Sequence, residues 1–496
     1  MKNPYNELGP ETVNLTPRLK ICRILTGLWQ VADIERRSGS IDNEKGADNL
    51  QHYANAGFNT FDVADHYGTS EIIAGTLLER QEKLDYQPVI LTKWCPEPGP
   101  MTSKVVRAGI EERLSRLGTS CIDLLQFHWW NFQHPAWLDA LHEITNLREK
   151  GLIKEIGVTN FDAAHVHLAM ADGIPLKTNQ VSFSLIDRRA RGLQANLCAN
   201  SSIKLLAYGT LCGGFLTEKW VGAKEPMEIE DWSKMKYKRF IDRTGGWEQF
   251  QIILRSAKKI ANKHNVSIAN VATRWVLEQT GVAGVIIGAR LGENMHNDNN
   301  LKVFSFGLDH EDYKALESAF ASSLEIPGDC GDEYRKPPFL TASGDLSHHL
   351  RQISNPNKKK AIPHRSEGTM IETGSEWENV AGYCRALRIG NKILVSGTTA
   401  TAGSSKIIAK DDAGAQTTFI LDKILGAISS LGASAEDVVR TRIYIVSEED
   451  AHLVSQAHGR VFQAIKPANT LVVVKKLIGD YRVEIEAEAL VDSPEK

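Results

Sequence analysis

Residues 89–130 read VILTKWCPEPGPMTSKVVRAGIEERLSRLGTSCIDLLQFHWW, and the fold decision lies in this stretch. Two short apolar runs, Val89–Thr92 and Ile122–Phe127, flank a segment of different period. In that segment Val106, Ile110, Leu114 and Leu117 recur at i, i+4, i+8 and i+11, the spacing of one helix face. Gly118 follows, where a left-handed helix stop belongs. Strand, helix, strand is the order of a parallel crossover unit. Nearly continuous apolar runs are what strands buried on both faces require.

The same alternation extends in both directions. Further candidate strands are Cys22–Leu28, Thr60–Val63, Ile156–Thr159, Asn179–Val181, Ile203–Ala207 and Gly284–Ile287. A second helical stripe, Trp137, Leu141, Ile144 and Leu147, again ends at a glycine, Gly151. Eight strands alternating with helices predict an α/β fold of the (β/α)8 TIM-barrel type. An open doubly wound sheet has the same periodicity, but no GxGxxG follows a strand to support it.

The chain has 496 residues, room for more than one such unit. From Glu325 to Trp377 periodicity fades, and IPGDCGDEYRKPPFL and SNPNKKKAIPHRSEG are rich in Pro, Gly and charge. A structureless loop of this length is improbable inside one domain, so a boundary is expected here. The expected organisation is a barrel over 1–324, a linker or extended segment lying over it at 325–377, and a smaller α+β domain over 378–496. Within the last, strands Arg385–Ile389 and Ile393–Ser396 precede a helix at Ala413–Leu431. Strand Val438–Val446, helix Glu449–Ala464 and strands Thr470–Val474 and Val483–Leu490 follow.

Composition narrows the function classes. Lys plus Arg is 58 and Asp plus Glu is 61, a net charge of −3. That balance gives no global electrostatic footprint for nucleic acid or an acidic membrane. Seven cysteines without CxxC spacing point away from a disulfide scaffold or a zinc ribbon. No run approaches the ~18 apolar residues of a membrane span, and no secretory pattern opens the chain. A reduced cytoplasmic setting without a metal centre is the expectation.

In such barrels chemistry sits at the carboxyl ends of the strands. FDVADHYG (61–68) supplies Asp62 and Tyr67, VILTKW supplies Lys93, and DLLQFHWW supplies His128. The set suits carbonyl reduction. A proton donor is needed at the oxygen as negative charge builds there. A phenol titrates near about 10, and an ammonium beside it lowers that value. Asp62 would hold Lys93 charged and oriented, and His128 would donate to the carbonyl oxygen. Trp29, Trp94 and Trp129 suggest an aromatic substrate pocket, with Trp130 nearby. The mixed-charge segment 209–246 is either a lid or a variable surface loop.

These motifs resemble those of the aldo-keto reductases over residues 20–320. The resemblance implies a (β/α)8 barrel that binds a nicotinamide cofactor without a Rossmann motif. KEIGVTNF (154–161) resembles the stretch whose hydroxyl and amide bind the carboxamide, here Thr159 and Asn160, and NQVSFSLI (179–186) brings Gln180. AYGTLCGGFLTEKW (207–220) resembles the loop around the pyrophosphate. It implies Tyr208 near the nicotinamide and Gly209, Thr210, Leu211 and Gly213 near phosphate. VIIGARLGENMHNDNN (285–300) resembles the adenosine end, with Gly288, Ala289, Arg290 and Asn294 as candidates. Many relatives place an arginine at the Asn294 position to grip the 2′-phosphate bidentately. Arg290 could compensate, so NADP(H) is favoured over NAD(H).

The second unit resembles the Rid (reactive intermediate deaminase) family. The motifs are GYCRALRIGNKILVSGTTA (382–400), GASAEDVVRTRIYIV (432–446), KPANT (466–470) and VEIEAEA (483–489). The resemblance implies homotrimers with clefts between subunits, lined here by Tyr383, Asn469 and Glu484. Active deaminases carry an arginine where Asn469 stands, and a neutral amide cannot form the same two-point ion pair with a carboxylate. A ligand-binding or trimer-forming role is therefore expected over deamination. The chain as a whole reads as an NAD(P)H-dependent oxidoreductase of an aldehyde, ketone, sugar or alcohol. A cofactor-loaded redox sensor, or a reductase joined to an imine or enamine deaminase, is the alternative. The sequence leaves the substrate and the reaction direction open.

Overall fold

The computed structural model describes residues 9–31, 41–291, 295–335, 357–403 and 405–491. Eight strands close into one parallel barrel, namely Ile24–Gly27, Thr60–Asp62, Val89–Trp94, Ile122–His128, Ile153–Thr159, Leu176–Ser182, Lys204–Tyr208 and Val282–Gly288. Each runs beside the next in chain order, and the eighth closes onto the first, with Val285 opposite Ile24. The barrel predicted from the alternation is present, with a strand end moved by up to three residues.

Local chemistry explains the helix bounds. Helix Ser103–Leu117 is capped by Thr102, whose side chain accepts from the Val105 amide, and it stops at Gly118 with φ of 60°. The left-handed conformation there is one that glycine adopts without a Cβ clash. Helix Ala136–Glu149 buries Trp137, Leu141, Ile144 and Leu147, the stripe read from the sequence.

A hairpin the sequence reading missed, Thr12–Thr16 with Leu19–Cys22, precedes the first barrel strand. Its Leu19 and Ile21 pack with Leu25, Leu91, Leu124, Leu206 and Ala283. It forms an apolar plug across the barrel, so the opposite, carboxyl end of the strands is the open one.

The second domain is a seven-stranded sheet. Its order is Lys359–Ala361, Thr369–Ile371, Ala386–Ile389, Lys392–Thr399, Val483–Leu490, Val438–Ile445 and Ala468–Val473. The last pair is parallel, joined through helix Ala451–Phe462. Helix Ala413–Ser430 is buried along most of its length, with Phe419, Ile420 and Ile424 in the core beside Ile443 and Ile485. The first two strands fall inside the stretch expected as linker, and so does Gly331–Arg335, which packs on the barrel.

The two domains touch. Helix Ala163–Ala171 of the barrel lies against helix Ala413–Ser430. His165 Nε2 meets Asp422 at 2.8 Å, and His167 Nε2 meets Asp412 at 2.6 Å. The Ala409 amide donates to Asp172 at 2.9 Å.

Candidate active site

The carboxyl ends of the barrel strands open on a cavity of about 610 Å3. Asp62 ends the second strand and Lys93 lies one residue before the end of the third. Both side chains are buried, and Lys93 Nζ donates to Asp62 Oδ2 at 2.6 Å and to the Val63 carbonyl at 3.1 Å. Gln126 and Gln180 donate to the other Asp62 oxygen at 3.1 and 2.8 Å. The carboxylate is thus fixed from both sides. The Lys93 ammonium sits 4.8 Å from the centre of the Tyr67 ring. Trp29 and His66 meet that ring edge-on at 5.1 and 4.7 Å. His128 ends the fourth strand and lines the same cavity.

Of the residues singled out in the sequence, Trp29, Asp62, Tyr67, Lys93, His128, Thr159, Asn160, Gln180, Tyr208, Gly209, Thr210, Leu211, Gly213, Gly288 and Arg290 line this cavity. Trp94 and Trp129 do not, and the pocket assignment for them is corrected. Side chains of a strand alternate between faces. Lys93 and His128 point inward, so their neighbours point outward. Trp94 packs on helix Ser103–Leu117, where a Cβ on Gly109 would come within 2.5 Å of its ring. Trp129 is buried beside Phe127, its Nε1 donating to the Asn131 carbonyl at 2.7 Å. Ala289 is also off the cavity, its amide donating to Gly27 at 2.9 Å. Asn294 lies outside the described residues.

The segment 209–246 is a wall of the cavity. Asp231 caps helix Trp232–Arg243 and accepts from Arg290 Nη2 at 2.9 Å. Trp29 Nε1 donates to Ser233 at 3.2 Å. These two contacts bridge the groove.

Two features escaped sequence reasoning. Gln126 stands two residues before His128 on the same strand face, and strand parity alone would have found it. Tyr334 comes from the stretch expected as linker. Its phenol lies 3.1 Å from the Tyr208 hydroxyl and also meets the Lys236 ammonium. Its ring stands 6.0 Å from His128 and 5.3 Å from Trp130. No periodic signal in IPGDCGDEYR marks it. Tyr208 in turn donates to Asn160 Oδ1 at 2.8 Å. Burial pushes the Tyr208 phenol well above its ordinary range, and Tyr334 and Glu333 push it further.

The donor set suits a nicotinamide cofactor. Thr159 Oγ1 is buried at the cavity wall with no hydrogen-bond partner among the described residues. Asn160 beside it holds a left-handed φ of 56°, a strained value that tends to persist at functional sites. Gly209, Gly213 and Gly214 have φ of 69°, 63° and 90°, a conformation glycine adopts without a Cβ clash, and a Cβ on Gly209 or Gly213 would press on helix Trp232–Arg243 at Tyr237 and Ser233, so this loop lies close against that wall of the cavity.

In the second domain, Asn469 Nδ2 donates to Thr441 Oγ1 at 2.9 Å, on the helix-covered face of the sheet. Glu484 pairs in register with Tyr444, one residue out of step with buried Ile443 and Ile485, so it projects from the other face. Burial raises the Glu484 carboxyl above its usual range, and Arg385 opposes that shift. Arg385 lies 3.5 Å from the Tyr383 hydroxyl. One copy of the chain therefore groups Tyr383 with Arg385 and Glu484 but turns Asn469 away from them.

The chain belongs to the aldo/keto reductase family, whose sequence profile matches residues 23–321. Residues 373–491 match the profile described as Endoribonuclease L-PSP, in agreement with the Rid resemblance. Among curated relatives, Aldo-keto reductase YhdN of Bacillus subtilis is 25% identical over 64% of this chain and 96% of its own. The NADH-specific methylglyoxal reductase of Escherichia coli is 23% identical over 62% and 98%. For the second domain, Uncharacterized protein SCO2049 of Streptomyces coelicolor is 34% identical over 24% of this chain and 87% of its own. Among solved structures, the glycerol dehydrogenase of Gluconobacter oxydans shares the barrel fold at a TM-score of 0.53. It is 24% identical, over 64% of this chain and 97% of that one. No helix among the described residues is long and apolar enough to cross a membrane.

Proposed function

We propose that the barrel interconverts a carbonyl and an alcohol on a small molecule with NADP(H), and that Tyr67 is the proton donor. The observation that carries this reading is the convergence of Asp62, Tyr67, Lys93 and His128 on one cavity, with the Lys93 ammonium beside the Tyr67 ring. The cofactor, when bound, supplies the hydride. Thr159, Asn160, Gln180 and Tyr208 would hold its nicotinamide end, and Gly209–Gly213 its phosphates. Gly288 and Arg290 would hold its adenosine end, and the positive charge of Arg290 favours a 2′-phosphate.

The chain's own residues do the rest. His128 orients the substrate oxygen toward the Tyr67 phenol. Tyr67 gives its proton to that oxygen in reduction and takes it back in oxidation. Lys93, held by Asp62, stabilises the phenolate left behind. Gln126 and Gln180 fix Asp62 and, through it, the ammonium. NADPH oxidation against a panel of aldehydes, ketones and sugars tests the reading, and turnover of at least one class is the expected result. Tight NADPH binding with a flat panel would favour the redox-sensor reading instead.

For the second domain we infer a ligand-binding or trimer-forming role. Asn469 faces away from Tyr383 and Glu484 within one chain, so a cleft that combines them needs a second copy. Light scattering should give about three times the 54.9 kDa of one chain, and a mass near one chain would reject the trimer.

A further inference from the structure

We propose that the second domain holds in place a wall of the barrel's substrate site. Tyr334 is then a substrate-contacting residue, and Asp422, on a helix of the other domain, is the residue that positions it. The proposal rests on the reductase reading of the barrel.

The wall is Asp329–Arg335. A Cβ on Gly331 would come within 2.0 Å of the Asn160 carbonyl, so this backbone lies directly on the residue beside Thr159. Glu333 is buried and paired with Arg189 at 2.8 Å, which pins the turn. The turn delivers the Tyr334 ring to the space between His128, Trp130 and Tyr208, within the cavity. A carbonyl compound oriented by His128 would meet this ring.

The next residue leads away from the cavity to the other domain. Arg335 Nη2 donates to the Trp129 carbonyl at 2.8 Å, and its guanidinium lies 4.2 Å over the Phe132 ring. His165 stacks on Phe132 at 3.5 Å with an interplanar angle of 10°. Two groups so close to one ring centre cannot share a face, so Phe132 is sandwiched between them. His165 then bonds Asp162 through Nδ1 at 2.7 Å and Asp422 through Nε2 at 2.8 Å. With both nitrogens facing carboxylates the imidazole is a double donor, hence a cation. Asp162 caps helix Ala163–Ala171, and the first amide of that helix donates to Asp329 of the wall at 2.7 Å. Arg460, also from the second domain, stands 3.8 Å from Asp162.

The wall is thus tied to the second domain twice, through Phe132 and Arg335 and through the Asp162 cap and Asp329. Phe132, Asp162, His165 and Asp422 are buried, and a buried polar network changes as a unit when one member is removed. Loss of the Asp422 charge weakens the hold on one His165 nitrogen, turning a charge-assisted bond into a neutral one at best, and loosens the ring stack against which Arg335 lies. Tyr334 then samples other positions, while Tyr67, Lys93 and His128 keep theirs.

The test uses the full chain and its best carbonyl substrate. Asp422→Asn should raise KM for the carbonyl at least fivefold, with kcat and the NADPH dissociation constant within twofold. Arg460→Gln provides a second variant should Asp422→Asn fold poorly. Adding Asp422→Asn to Tyr334→Ala should leave KM where Tyr334→Ala alone puts it, because both act on one wall. Asp480→Asn, an exposed change in the second domain, should alter nothing. Hydrogen exchange gives a readout independent of turnover: peptides spanning 326–335 should exchange at least tenfold faster in Asp422→Asn, with barrel-strand peptides unchanged. Multiplying KM effects, or unchanged exchange in 326–335, would overturn the link. A wild-type protein that reduces no carbonyl while the exchange effect persists would overturn the reductase reading and leave the link standing.

Discussion

Asp62→Asn should be among the most damaging single changes in the barrel, and more so than Lys93→Met. The two side chains form a buried ion pair at 2.6 Å, with side-chain exposures of 4% and 2%. Removing one partner of such a pair strands the other charge and costs about 3–5 kcal/mol. The partners are not equally dependent on each other. Without Lys93, Asp62 keeps the amide donors of Gln126 and Gln180. Without the Asp62 charge, the ammonium has only neutral acceptors, an amide oxygen at position 62 and the Val63 carbonyl, beside the Tyr67 face. Asp62→Asn should therefore sit at the upper end of that range, about 4–5 kcal/mol, a fall in Tm of about 8–10 °C at roughly 2 °C per kcal/mol. Lys93→Met should cost about 1–3 kcal/mol. The double variant carries no buried charge at the site, so it should be no less stable than Asp62→Asn alone. Thermal unfolding followed by circular dichroism reads all three. An Asp62→Asn penalty below about 1 kcal/mol, typical of an exposed pair, or a double variant at the sum of the two singles, would refute the reasoning.

Three further outcomes follow from single residues. Gly209→Ala adds a Cβ 2.3 Å from the Tyr237 hydroxyl at a φ of 69°, and should weaken NADPH binding at least tenfold in a fluorescence titration. Arg290→Ala should raise the NADPH dissociation constant about tenfold, one charge-assisted contact, and leave NADH within twofold. Burial pushes Lys423 down to about 7, with Arg385 adding to the shift. Between pH 7 and roughly 10 the unfolded chain then holds a proton that the folded chain lacks, so this group adds stability as pH rises through that window. The urea midpoint of the wild type relative to Lys423→Met should rise from pH 7 to pH 9, and a constant difference would refute the assignment.

Much of the barrel was legible because strands buried on two faces and helices buried on one leave different periods in the chain. The Val106–Leu117 stripe with its Gly118 stop, and the strand ends at Asp62, Lys93 and His128, needed no tertiary information. Strand parity turns Trp94 and Trp129 outward and brings Gln126 inward. The Thr12–Cys22 hairpin was hidden because it is short and lies across the barrel's end rather than within its alternation. Tyr334 was hidden for a stronger reason. Its partners, His128, Trp130, Tyr208 and Lys236, lie far from it in sequence, and the turn that delivers it has no period. The same holds for His165, whose second carboxylate comes from another domain, 257 residues away.

The carbonyl chemistry proposed for the barrel turns on the Tyr67 phenol as proton donor. The most direct test is kcat/KM of Tyr67→Phe with NADPH and the best carbonyl substrate, beside its NADPH dissociation constant. A positioned proton donor contributes about 10²–10⁴-fold, so kcat/KM should fall at least a hundredfold with cofactor binding within twofold of wild type. Turnover within tenfold of wild type would contradict the assignment.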